Sequence, residues 1–173
     1  VSEVMTYNAS QGKPAYAAII NRLDRPVSGL VLIAKNKSAA AKYSTLMQKE
    51  GGFNKQYEAL ICGKPSEPKG TFVDYLKKDG RTNTSAIVPA DAAANDKEAK
   101  LSKLEYEVIS YDEVKDITHV RIHLITGRHH QIRVQFASRR HPLVGDYKYA
   151  TADCGMDNAV KAVAFKRNQI ALC

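Results

Sequence analysis

Apolar and polar positions along the chain fall into short stretches of clear period. The first twenty residues set Val4, Met5, Ala15, Tyr16, Ala18, Ile19 and Ile20 around breaks at Gly12 and Pro14, which predicts an opening helix followed by a connector. Leu30 to Ala34 is short, partly β-branched and apolar on both faces, as a strand covered on both sides would be. Asn36-Lys37-Ser38 then offers a helix start. From Ser38 the alanines, Tyr43, Leu46 and Met47 recur at helical spacing, and Gly51-Gly52 provides a stop.

Tyr57 to Cys62 reads as a strand ending at Gly63 and Pro65, and Leu104 to Val108 alternates as a half-buried strand does. A second alternation places Val120, Ile122 and Leu124 opposite Arg121 and His123, with Tyr111-Asp112-Glu113 as the expected turn between the two strands. After Thr126-Gly127 the period lengthens: Ile132 and Phe136 lie four apart, Val134 and Ala137 three apart, so a strand feeds a short helix. Pro65 to Glu98 is polar, with room for a hairpin or loop, and its basic stretch Lys77-Lys78-Asp79-Gly80-Arg81 is suited to an anionic partner. No repeat occurs at solenoid periods, and helices interleaved with antiparallel strands predict an α+β domain.

Composition narrows the class. A chain of 173 residues, 44% of them hydrophobic, suffices for a single domain spanning 1–173. Its longest apolar run, Gly29 to Ala34, is far short of the roughly 18 residues of a membrane helix, and no signal-peptide core opens the chain, so a cytoplasmic protein without membrane contact is expected. Lysine plus arginine number 26 against 18 acidic residues, a formal charge of +8 that attracts polyanions and puts nucleic acid first among partners. Cys62, Cys154 and Cys173 are odd in number and far apart, which fits neither a disulfide framework nor a cysteine zinc site.

Two clusters are candidates for chemistry. In Asn21-Arg22-Leu23-Asp24-Arg25-Pro26-Val27-Ser28-Gly29, an aspartate between two arginines reads as a structural ion pair, as a turn residue, or as a nucleophile poised beside an anionic substrate. In Leu124 to Arg133, a strand end, a glycine turn, two arginines and an amide meet at a helix start, either a capped helix with a solvated basic face or an anion site. His119 and His123 have the spacing of helical metal ligands, but on an alternating strand their rings stand about 13 Å apart, and no metal site is expected. Ser28 lacks the G-x-S-x-G context and reads as a turn-forming hydroxyl, and the absence of a Walker loop or G-x-G-x-x-G argues against a nucleotide cofactor.

Three blocks in order resemble the RluA-type pseudouridine synthases, which isomerise uridine in ribosomal and transfer RNA. They are Asn21 to Gly29 against H-R-L-D-x-x-[TS]-S-G, Lys55 to Gly63 against K-x-Y-x-A-x-x-x-G, and Leu124 to Arg133 with Pro142 to Tyr149 against L-x-T-G-R-x-H-Q-I-R and P-[ILV]-x-G-D-x-x-Y. The resemblance implies an α+β catalytic domain with a mixed, mainly antiparallel sheet flanked by helices and a central cleft. It makes Asp24 the catalytic carboxylate, Tyr57 the active-site tyrosine and Arg128 the arginine that pairs with the aspartate. Arg22 would face the RNA where the target base leaves the stack. Arg25, His130, Gln131, Arg133 and Lys148 would also meet RNA. No cofactor and no metal are implied, RNA is the partner, and a monomer is favoured.

Two departures accompany the resemblance. Asn21 stands where many members carry histidine, as in a subgroup. The chain also opens at Val1 without the Asn-Lys-Pro strand that usually precedes the first helix, and it closes at Ile170-Ala171-Leu172-Cys173, where the family core continues. Missing terminal segments are therefore expected, and no S4-type RNA-binding domain is visible. The rival reading is an RNA-binding protein that keeps the fold without the chemistry.

Overall fold

The computed structural model describes residues 1–49, 51–150, 154–162 and 169–173. Contacts divide the chain into two compact units, Val1–Phe53 and Asn54–Cys173. The first holds α1 (Ser2–Ser10), β1 (Ala18–Ile19), β2 (Ile33–Ala34) and α2 (Lys37–Gln48). The opening helix and connector are present, tied together by the buried Asn8, whose Nδ2 donates to the Tyr16 carbonyl at 3.0 Å. At α2 the Asn36 side chain accepts from the Ala39 amide at 2.8 Å, satisfying a helix-end donor as the sequence predicts.

The strand expected over Leu30 to Ala34 is shorter and more open. Only Ile33 and Ala34 pair, antiparallel with Ile19 and Ala18. Leu30 is 92% exposed, and only Ala34 of the run is buried. The physical reason is that its ladder has two strands of two residues each, so the apolar stretch before it serves as the limb of a loop.

The second unit is built on an antiparallel sheet in the order β3-β7-β6-β4-β5, formed by β3 (Gln56–Cys62), β4 (Lys69–Asp79), β5 (Thr84–Val88), β6 (Lys100–Asp112) and β7 (Ile117–Leu124). The mainly antiparallel sheet of an α+β fold is thus in place. The polar stretch from Pro65 to Glu98 resolves into the β4–β5 hairpin and the short α3 (Ala90–Ala93). Tyr111 and Asp112 belong to β6 and pair with Thr118 and Ile117, so the turn takes residues 113–116 and not the predicted Tyr111-Asp112-Glu113. A bulge between Val108 and Ser110 shifts the register and lets the strand run on past the point where the alternation fades.

One face of the sheet carries Ile61, Leu104 and Ile122, all fully buried. Over it lies α4 (Gln131–Ala137), whose buried Phe136 meets Phe72 edge-on at 5.1 Å and Tyr106 at 5.7 Å. The opposite face, at the Cys62 end, packs Ile117, Val144, Ala171 and two residues of α5 (Met156–Ala162) into a second cluster. The free edge of β3 is covered by main chain: Cys62 donates to the Pro142 carbonyl at 2.9 Å, and Leu60 to that of Ala171 at 3.0 Å. That covering removes a sheet edge from solvent. Among the described residues no helix is long and apolar enough to cross a membrane.

Candidate active site

Each unit carries one of the two sequence clusters. In the first unit, the β1–β2 ladder continues for one more bond, from the Ile20 amide to the Leu32 carbonyl at 2.9 Å, and the chain then opens into a loop. Asn21 closes its base: its Nδ2 donates to the Leu30 carbonyl at 3.0 Å, and its Oδ1 accepts from the Leu32 amide at 2.7 Å. Within the loop the Val27 amide donates to the Asp24 carbonyl at 3.0 Å, a tight turn that presents Asp24 half-buried between exposed Arg22 and Arg25. Gly29 has φ +150°, and a Cβ there would meet Leu23 only at ordinary contact distance, so the backbone conformation rather than space asks for glycine.

In the second unit, Tyr57 on β3 lies opposite Ile122 of β7, which in turn lies opposite Tyr106 of β6, giving one row across three strands on the helix-covered face. Tyr57 is half-buried. Just before it, burial holds the Lys55 ammonium below its ordinary range, and the Arg128 charge adds to the shift. Lys55 carried no role in the sequence reading. What marks it is a second cation brought close by the fold, which no local pattern displays. Arg128 is exposed, its Nε donating to the Leu101 carbonyl at 2.9 Å.

The loop leading to Arg128 is built on Gln131. Its Oε1 accepts from the Arg128 amide and from the Thr126 hydroxyl, both at 2.9 Å, while its Nε2 donates to the Lys103 carbonyl at 3.1 Å. Gln131 is 3% exposed and His130 9% exposed, so neither has the open surface expected of an RNA contact. His130 adopts φ +53° and shares a 2.6 Å hydrogen bond between its Nδ1 and the Tyr149 hydroxyl. That hydroxyl also accepts from the Ser85 amide, which ties the helix start to the β4–β5 hairpin.

Arg133 requires the plainest correction. It is 5% exposed, and its Nε and Nη2 each reach an Asp146 carboxylate oxygen at 2.7 Å, so the guanidinium is bound inside the protein and cannot meet a phosphate. Positive charge in the sequence does not reveal burial. The available signal was Asp146 in the Gly145-Asp146 pair. Gly145 has φ +86°, and a Cβ there would stand 2.0 Å from the Gln169 carbonyl oxygen, so this turn admits only glycine. Lys148 remains exposed, although its Nζ donates to the Asn83 carbonyl at 2.9 Å.

His119 and His123 lie on β7 as the alternation predicts. His119 pairs with Glu58 at 3.0 Å and His123 with Glu105 at 3.3 Å, and no group of metal-ligating side chains forms among the described residues. The cysteines are free, and burial, with the neighbouring Cys154, pushes the Cys62 thiol up to about 12, which makes it a packing residue.

Comparison with known proteins places this geometry. The family model for RNA pseudouridylate synthase matches residues 2–138. A ribosomal large subunit pseudouridine synthase D from Blochmanniella floridana is 36% identical over 135 residues, covering 77% of this chain and 38% of that protein. An uncharacterised RNA pseudouridine synthase from Bacillus subtilis is 33% identical over 146 residues, covering 84% of this chain and 48% of the relative. The chain thus spans less than half the length of these relatives. Among solved structures, the human RNA pseudouridylate synthase domain containing 4 superposes with a TM-score of 0.72 at 19% identity, covering 96% of this chain and 67% of that one, a likeness of fold. By the match of the family model over most of its length, this chain belongs to the RNA pseudouridylate synthase family.

Proposed function

We propose that the chain carries the catalytic machinery of an RNA pseudouridine synthase, with the two units acting as one catalytic domain in the cytoplasm. The observation that carries this reading is the family match over residues 2–138, which contains all three motif positions Asp24, Tyr57 and Arg128. The geometry supports it within each unit. Asp24 sits in a closed loop between two exposed arginines, and Tyr57 lies on a rigid strand in the unit that presents Arg128 beside Lys55.

The reaction breaks the N1–C1′ bond of uridine and forms C5–C1′, C5 losing a proton and N1 gaining one, so atoms balance without redox input or an added group. Asp24 supplies the carboxylate, by attack on ribose C1′ or uracil C6 or by assisting elimination, and holds the detached pieces together. Arg128 supplies positive charge for the carboxylate, and Tyr57 a face for uracil and a route for the C5 proton. Burial and the neighbouring Arg128 charge both disfavour the Lys55 ammonium, and an anion beside them offsets this, which suits contact with a phosphodiester. A base within an RNA helix is out of reach, so the target uridine must be flipped out or presented in a loop, with Arg22 at the vacated position and Arg25 toward the phosphates.

The test is carbodiimide-adduct mapping of ribosomal and transfer RNA after incubation with the purified chain. New pseudouridine stops at defined uridines support the reading. RNA binding without any new stop would favour a binding protein that retains the fold.

A further inference from the structure

We infer that Asn21 is a positioning residue for the reaction: a side-chain clamp that closes the Asp24 loop and sets the reach of its carboxylate. This inference rests on the proposed synthase activity and on hydrogen bonds that lie wholly within the first unit. The ladder that anchors the loop is minimal, with Ala18 opposite Ala34, Ile19 opposite Ile33, and one further bond from Ile20 to Leu32. Beyond it the backbone pairing stops. Asn21 continues it with its amide group, donating to Leu30 at 3.0 Å and accepting from Leu32 at 2.7 Å, so that both main-chain polar groups of Leu32 are satisfied from the β1 side.

The consequence is leverage on Asp24. Residues 22–29 hang from this clamp, and the Leu30 limb that closes them is itself 92% exposed, with no packing to hold it. A carboxylate three residues from the clamp moves when the clamp opens, and a misplacement of about 1 Å at a reacting group costs on the order of 10²-fold in rate. The two bonds also make asparagine specific. Leucine has the same branching and makes neither bond. Histidine places one ring nitrogen where an amide atom stands and a carbon at the other position, so it retains one bond.

The experiment measures tritium release from 5-tritiated uridine in RNA by the full chain and by Asn21→Leu and Asn21→His, resolving kcat from KM. It is read together with melting temperature and amide hydrogen exchange at Leu32. The expected result is kcat lower by about 10- to 100-fold in Asn21→Leu with KM within about threefold. Asn21→His should fall between that variant and the parent, melting should be nearly unchanged, and the Leu32 amide should be protected in the parent and unprotected in Asn21→Leu. Unchanged kcat in Asn21→Leu, or rapid exchange of Leu32 in the parent, would overturn the inference. If Asn21→Leu does not fold, Asn21→His at the parent's stability with reduced kcat supports the clamp, and undiminished kcat there overturns it. A parent that releases no tritium would remove the synthase reading instead, while hydrogen exchange at Leu32 would still decide whether the clamp exists.

Discussion

The Asp24 loop and the Leu124–Tyr149 segment carry comparable residues on opposite kinds of support. The loop is held by a two-pair ladder and by side-chain bonds that stand in solvent. The segment is held from inside: Arg133 and Asp146, 5% and 1% exposed, lock α4 to the following turn, and the buried Gln131 gathers the loop that ends at Arg128. Exposed hydrogen bonds replace bonds to water and so contribute little net stability, whereas a buried ion pair that loses a partner leaves a charge without compensation. Substitutions of supporting residues should therefore act on different observables, activity in the first region and folding in the second.

The sharpest way to break this contrast is Asp146→Ala. It should destabilise the fold by about 3–5 kcal/mol in urea titration, because it strands the buried Arg133 guanidinium. A loss of activity at unchanged stability would contradict the support assigned to this pair. Next in size is Gln131→Leu, which takes the acceptor from the Arg128 amide and the donor from the buried Gln135 Oε1, each worth about 1–3 kcal/mol where buried. Its melting temperature should fall, again opposite to Asn21→Leu, whose effect is confined to kcat.

The smallest effect is expected at the solvent-facing Glu58. Hydrogen bonds from Arg121 and His119 hold its carboxyl below the usual range. Their contribution is therefore present above the ordinary glutamate pKa and lost as the pH falls through the lowered value. Glu58→Gln should leave melting at neutral pH within about 2 °C of the parent and flatten the acid limb of the stability profile. A large shift at neutral pH would mean that exposed pairs on this sheet count for more than their surroundings allow.

Much of the fold was legible because local chemistry and tertiary context agree. Asn36 caps α2 as its side chain dictates, and Val120, Ile122 and Leu124 alternate because β7 is central and one of its faces is buried. Leu30 to Ala34 misled because apolar composition does not record whether a layer covers it, and the Tyr111 turn misled because a bulge changes phase without a sequence mark. At the site, resemblance supplied Asp24, Tyr57 and Arg128, whereas composition alone left each cluster with two readings. Arg133 was misplaced because its partner, Asp146, lies thirteen residues on, and only the fold brings them together. Asn21 stood out merely as a departure, and its hydrogen bonds to Leu30 and Leu32 supply the physical meaning of that position.

The most direct measurement of the central claim is metal-free tritium release from 5-tritiated uridine in ribosomal and transfer RNA, comparing the parent chain with Asp24→Asn and measuring RNA affinity alongside. The account predicts release by the parent, loss of at least about 10³-fold in the variant, and RNA affinity within a few-fold of the parent, since the removed group acts in the chemistry and not in docking. Equal release by the two proteins would contradict the assignment of Asp24 and with it the mechanism.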